Sequence, residues 1–212
     1  MVKRKWEEDE KNIKKIYAHL KDNNVPLWLV SFLEGSRFTE KQATAARQFA
    51  VEKLQREDLK FSHVLLPRTK GFVTTIKHLS AGDKPYVTHV YDVTIGYGKE
   101  HKAPSMLTIF TKPSSLKGQK VFVHVKRYAV DSLPKNDEKL LTQWCYDRFK
   151  EKEQMLQYLK TTGNGLVPVE QQRSKKQELG VGESYVYFWQ TVASSIWIAA
   201  AAAAFYKIKS SL

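Results

Sequence analysis

Apolar positions follow two rhythms along this chain. Trp6, Ile13, Ile16, Tyr17 and Leu20 recur at the spacing of one helical face, which predicts an amphipathic helix over 4–22. Asn23-Asn24-Val25-Pro26 breaks it. The next run, 27–33, is short, apolar and bounded by turn signals, the pattern of a central strand. Thr39 and Gln42 stand at capping-box spacing, and an Ala-, Lys-, Glu- and Gln-rich helix is expected from there to about residue 57. A second short strand is expected over 63–66, and a short helix from Gly71 to about Leu79.

Strand-like patterns dominate the middle of the chain. One covers 86–95. The other, 120–130, alternates Val121, Val123 and Val125 with polar residues, which argues for one buried face. Between them, 99–115 holds Pro104 and Pro113 and reads as a loop. Leu133-Pro134 leads into a long helix over 137–159, with an apolar stripe of Leu141, Trp144, Cys145, Met155, Leu156 and Leu159 that suits packing on a sheet. Strands alternating with helices imply an α/β domain, set at 1–162.

Beyond it the periodicity stops. Residues 163–184 are rich in Gly, Gln and Lys and read as a linker. Residues 185–206 carry no formal charge and are bracketed by Tyr185, Tyr187, Phe188 and Trp189 at one end and Phe205 and Tyr206 at the other. That length and that aromatic belt predict a transmembrane helix; the Ala-rich centre leaves a buried soluble helix as the other reading. A short basic tail, 207–212, follows. Basic residues flank both sides, so orientation stays open.

The net charge of +13 favours anionic partners: nucleic acid, anionic lipid, or phosphorylated ligands such as coenzyme A. Lys and Arg are spread along the chain, and no RNA-recognition, zinc-finger or basic-zipper signature accompanies them, which argues against nucleic acid. A single cysteine, Cys145, excludes a disulfide framework and argues against a Cys-based metal site; its place in the helical stripe assigns it to packing. The charged start of the chain, MVKRKWEEDE, is no signal peptide.

The candidate chemistry lies where the first apolar run ends. Glu34-Gly35-Ser36-Arg37 is an acid-Gly-small-basic turn, and Leu65-Leu66-Pro67-Arg68-Thr69-Lys70-Gly71-Phe72 follows after a helix. Together they resemble the phosphate-binding "EGTR-type" motif, with Ser for Thr, and the following proline-bearing motif of the glycerophosphate and lysophosphatidate acyltransferases. The likeness is greatest to the membrane-bound 1-acyl-sn-glycerol-3-phosphate acyltransferases of eukaryotes. Val2-Lys3-Arg4-Lys5-Trp6-Glu7-Glu8-Asp9 looks like the end of the family's second motif. Val90-Tyr91-Asp92-Val93-Thr94, His124-Val125-Lys126-Arg127, Leu133-Pro134 and Gln143-Trp144-Cys145 through Glu153 are similar to plant members. The resemblance covers about residues 2–163.

What the resemblance implies is an acyl transfer from acyl-CoA to the sn-2 hydroxyl of lysophosphatidate, giving phosphatidate, on an α/β domain with a mixed sheet flanked by helices. Arg37 and Arg4 inherit the grip on the acceptor phosphate, for which a planar guanidinium is suited because it donates two parallel hydrogen bonds. Glu34 would hold Arg37 or cap the turn, Gly35 would permit close backbone approach, and Ser36 completes the motif. Pro67 is the landmark of the later motif; Arg68 and Lys70 either add positive potential near substrate phosphates or are solvated loop charges. No metal or bound cofactor is implied. Acyl-CoA and lysophosphatidate are the substrates, membrane lipid is a partner, and the expected location is the membrane of the endoplasmic reticulum.

The family's catalytic His-x4-Asp motif belongs ahead of these motifs and is expected to lie outside this sequence, which predicts that the chain alone is inert. His78 and Asp83 fit the spacing by chance, but they come after Glu34–Arg37 and Pro67, the wrong order. The competing class is a non-catalytic tail-anchored protein that binds lysophospholipid or partners a complete acyltransferase.

Overall fold

The computed structural model describes residues 6–82, 85–98 and 120–168. All of these except Lys120 belong to one compact unit. Helix α1, Trp6–Asp22, opens with Glu7, Glu8 and Asp9 and closes with His19 and Lys21, the order that complements a helix dipole. Of its apolar stripe only Tyr17 is fully buried, and Ile16 faces out. Tyr17 donates its hydroxyl proton to Thr75 Oγ1 over 2.7 Å, because the Thr75 hydroxyl is itself spent on the Gly71 carbonyl at 2.8 Å. Lys21 Nζ donates to the His78 carbonyl at 3.2 Å, so α1 lies along the next helix but one.

Helix α2, Glu40–Glu52, starts as expected: Thr39 is extended and its hydroxyl accepts from the Gln42 amide at 3.3 Å. It ends five residues early, because Gln55 takes a positive φ of 54° and a 3-10 turn follows at Glu57–Leu59. Helix α3, Thr69–Leu79, begins just after Pro67. Strands β1, His89–Tyr97, and β2, Val121–Ala129, pair antiparallel with Val93 opposite Val125. Helix α4, Glu138–Thr162, is capped at both ends. The Asp137 carboxylate accepts from the Lys139 and Leu140 amides at 2.7 and 3.0 Å. Gly163, with a φ of 73°, turns the chain out.

Helix α4 organises the core. One cluster holds Ala50, Leu59, Phe61, Val64 and Phe149; the other holds Val73, Ile76, Val130, Leu133 and Leu141. Trp144 of α4 stacks on Phe72 at 5.7 Å and meets Tyr128 edge-on at 5.2 Å. Cys145 is buried in this helix as expected, and burial pushes its thiol up to about 12, which keeps it inert. Gly96 lets β1 approach α4: a Cβ there would collide with Leu159 and come within 2.9 Å of Leu166.

The expected architecture is corrected in three respects. The sheet of the described residues has two antiparallel strands, not a mixed set flanked by helices. The runs 27–33 and 63–66 are not strands. The first is left without a ladder partner and exposes Trp28, Val30 and Phe32. The second has its amide protons taken by side chains, as described below. Third, the valine face of β2 points outward. The segment 185–206 lies outside the described residues, as do the 99–115 loop, most of the linker and the tail. Among the described residues no helix is long and apolar enough to cross a membrane, so the expected transmembrane helix is not supported.

Candidate functional site

Four consecutive backbone amides build the floor of the site. Ser62 N–H and His63 N–H donate to the two oxygens of Glu153 on α4, each at 2.8 Å, and Val64 N–H reaches the same carboxylate at 3.3 Å. Leu65 N–H donates to Glu34 Oε2 at 3.1 Å. Two residues on, Arg68 N–H donates to the Leu33 carbonyl at 2.7 Å. Charge-assisted bonds of this kind are about twice as strong as neutral ones, so two carboxylates hold the 62–65 segment where a strand partner would otherwise be needed.

These contacts bring the two sequence motifs together. Leu33 and Glu34 are tied to Leu65 and Arg68, and Gly35 turns the chain between them with a φ of 67°. The Arg68 side chain lies across that turn, with Nε 2.9 Å from where a Cβ of residue 35 would be. Only glycine therefore suits both the backbone conformation and the neighbour. Pro67 is buried, while Ser36, Arg37, Arg68 and Lys70 are exposed. The Arg37 guanidinium makes no hydrogen bond or ion pair among the described residues, so its donors are available to a ligand. Arg4 and Asp83 lie outside the described residues. His78 is bound through Nδ1 to the Thr74 carbonyl of its own helix at 2.8 Å.

Glu34 does not reach for Arg37. Its carboxylate turns inward, where burial pushes its pKa up; the Leu65 hydrogen bond and the positive charge of Lys152 act in the opposite sense. Lys152 was hidden from sequence reasoning inside an apolar stripe. It is buried, pairs with the Asp92 carboxylate, and donates to the Val93 carbonyl at 2.8 Å and Thr94 Oγ1 at 3.1 Å. It joins α4 to β1 behind the Glu34 turn. Its helical register with Leu141, Cys145 and Phe149 was the available signal. Glu153 closes the 143–153 stretch that resembles plant members, but nothing in the sequence alone marks its carboxylate as the acceptor of three backbone amides. No group of His, Cys, Asp and Glu suited to a metal occurs among the described residues.

Comparison with known proteins finds named relatives. The "1-acyl-sn-glycerol-3-phosphate acyltransferase 2" of Arabidopsis thaliana is 35% identical over 156 residues, covering 73% of this chain and 37% of that protein. Over most of its length the chain is homologous to proteins named 1-acyl-sn-glycerol-3-phosphate acyltransferases. A "Probable 1-acyl-sn-glycerol-3-phosphate acyltransferase 5" of the same plant is 35% identical over 77% of the chain and 40% of its own length. The human "1-acyl-sn-glycerol-3-phosphate acyltransferase gamma" is 34% identical over 80% of the chain and 41% of its own length. The family described as "Acyltransferase C-terminus" matches residues 114–182. The chain thus spans about two fifths of the length of the curated acyltransferases it matches. No solved structure matches it.

Proposed function

We propose that this chain carries the acceptor-holding part of an acyltransferase of phospholipid synthesis. The whole protein moves a fatty acyl group from acyl-CoA to the sn-2 hydroxyl of lysophosphatidate. In that reaction the acceptor oxygen forms a bond to the acyl carbonyl carbon, the carbon–sulfur bond breaks, and the hydroxyl proton leaves with coenzyme A as its thiol. Arg37 grips the acceptor phosphate with paired N–H donors, Ser36 offers a hydroxyl beside it, and Arg68 and Lys70 add positive potential. Arg4 shares the phosphate in this reading. Acceptor and product are lipids, so the reaction belongs at a membrane, and the endoplasmic reticulum is the proposed one.

The observation that carries the reading is the Gly35 turn, tied on both sides to the 65–68 segment and followed at once by the exposed, uncommitted Arg37. A phosphate-binding turn needs a rigid base and a free cation, and this one has both. The test is titration calorimetry of the full chain with monomeric short-chain lysophosphatidate. Arg37→Ala should weaken binding by about tenfold or more, the worth of a charged hydrogen bond at about 1.5–3 kcal/mol. Equal binding by parent and variant would remove Arg37 from the site.

A further inference from the structure

The β1–β2 ribbon presents its greasier face to solvent. Tyr91, Val93 and Ile95 share that face with Val121, Val123 and Val125, since Val93 pairs with Val125 and Ile95 with Val123. These six side chains are 46–58% exposed. The inward face carries Asp92, Thr94, His124 and Lys126 beside Val90, Phe122 and Tyr128. This orientation is fixed by a buried ion pair. Lys152 of α4 is met from the ribbon by the Asp92 carboxylate, the Thr94 hydroxyl and the Val93 carbonyl. Turning the ribbon over would set that ammonium against valines with nothing to pair it, at a prohibitive desolvation cost.

The outward face carries one formal charge, the Arg127 guanidinium opposite Tyr91 at one end, and the outward positions of both strands hold no Asp or Glu. We propose that this ribbon face docks on an anionic lipid surface. The aliphatic centre enters the edge of the acyl layer while Tyr91 and Arg127 stay at headgroup level, where an aromatic ring and a long cationic side chain are both at home. A second copy is the poorer occupant, because it would bring two molecules of charge +13 together. The proposal rests on the reading above only in taking lipid as the partner.

The test uses the full chain and vesicles of phosphatidylcholine with and without phosphatidylglycerol. Cys145 is buried and protonated, so Val123→Cys gives a single reactive thiol for a polarity-sensitive fluorophore, with Lys11→Cys on α1 as control. The probe at 123 should shift to the blue with anionic vesicles and the probe at 11 should not. Val123→Glu combined with Val125→Glu should weaken vesicle affinity about tenfold, or about 1.4 kcal/mol, with unchanged near-ultraviolet circular dichroism. Arg127→Glu should lower the preference for anionic over neutral vesicles. If the double variant fails to fold, the probe at 123 decides. Absence of vesicle binding, or vesicle binding with the probe at 123 still in water, overturns the proposal. So does a concentration-dependent dimer abolished by Val123→Glu, which would assign the face to a second copy. Val123→Glu combined with Val125→Glu should bind monomeric short-chain lysophosphatidate like the parent, so failure of the acceptor site and failure of the docking face are read separately.

Discussion

The side chain of Arg68 is laid across Gly35, with Cζ 3.1 Å from the place a Cβ would take. Gly35→Ala therefore carries two penalties. A positive φ of 67° costs an L-residue about 1–2 kcal/mol, and the guanidinium must swing away. Gly35→Asn suffers less from the backbone but displaces Arg68 equally. Urea unfolding should place the alanine variant below the asparagine variant, while both bind lysophosphatidate more weakly than the parent. Parent-like binding by Gly35→Asn would show that the position of Arg68 is irrelevant to the acceptor.

Lys152 is buried and its partner Asp92 is largely withdrawn from solvent, so neither is interchangeable with a surface charge. Lys152→Met leaves the Asp92 carboxylate without its cation and should cost about 3–5 kcal/mol in guanidinium unfolding. Adding Asp92→Asn should restore a good part of that. A single-variant cost as small as that of an exposed pair, about 0–1 kcal/mol, would contradict the burial argument.

Removal of the Glu153 carboxylate strands three amides at once. Glu153→Ala should destabilise by about 1.5–3 kcal/mol, the range for hydrogen bonds to a charged group. Hydrogen exchange should quicken at Ser62, His63 and Val64 more than in α1 or α2. Uniform acceleration across the molecule would mean that Glu153 acts on the fold as a whole.

Acid titration should isolate Glu34. Burial raises its pKa above the ordinary 4.5, so the folded state favours the protonated carboxyl. Stability from this group is complete below the ordinary value and is lost as pH rises through the raised one. Glu34→Gln is neutral throughout and can still accept from Leu65. Its stability relative to the parent should therefore rise as pH increases from below 4.5 toward neutrality. An opposite slope would mean that the Leu65 bond and Lys152 outweigh desolvation.

The helices were legible because their signals are local. Thr39 with Gln42, Asp137 ahead of α4 and Gly163 behind it act through bonds to their own helix. The turn at Glu34–Arg37 was legible because a glycine between an apolar run and charged residues marks a break in the chain. The short strands were not. An apolar run such as 27–33 states only that its side chains can be buried; whether a neighbour supplies ladder bonds is a question about distant residues. For 63–66 the partners proved to be carboxylates of residues 34 and 153. The valine alternation of β2 likewise identified an apolar face but not its direction, which depends on a lysine in the middle of another element's stripe.

The dependence of the 62–65 amides on Glu153 sets an order for biosynthesis. A growing chain exposes the Glu34–Arg37 turn and its proline-bearing companion early, but the carboxylate that secures the companion is about 90 residues further on. Until α4 has left the ribosome, those peptide groups are satisfied by water, and the Glu34–Arg37 turn leans on an unfixed segment. The motif thus becomes a structure only when a helix about 90 residues further along the chain arrives.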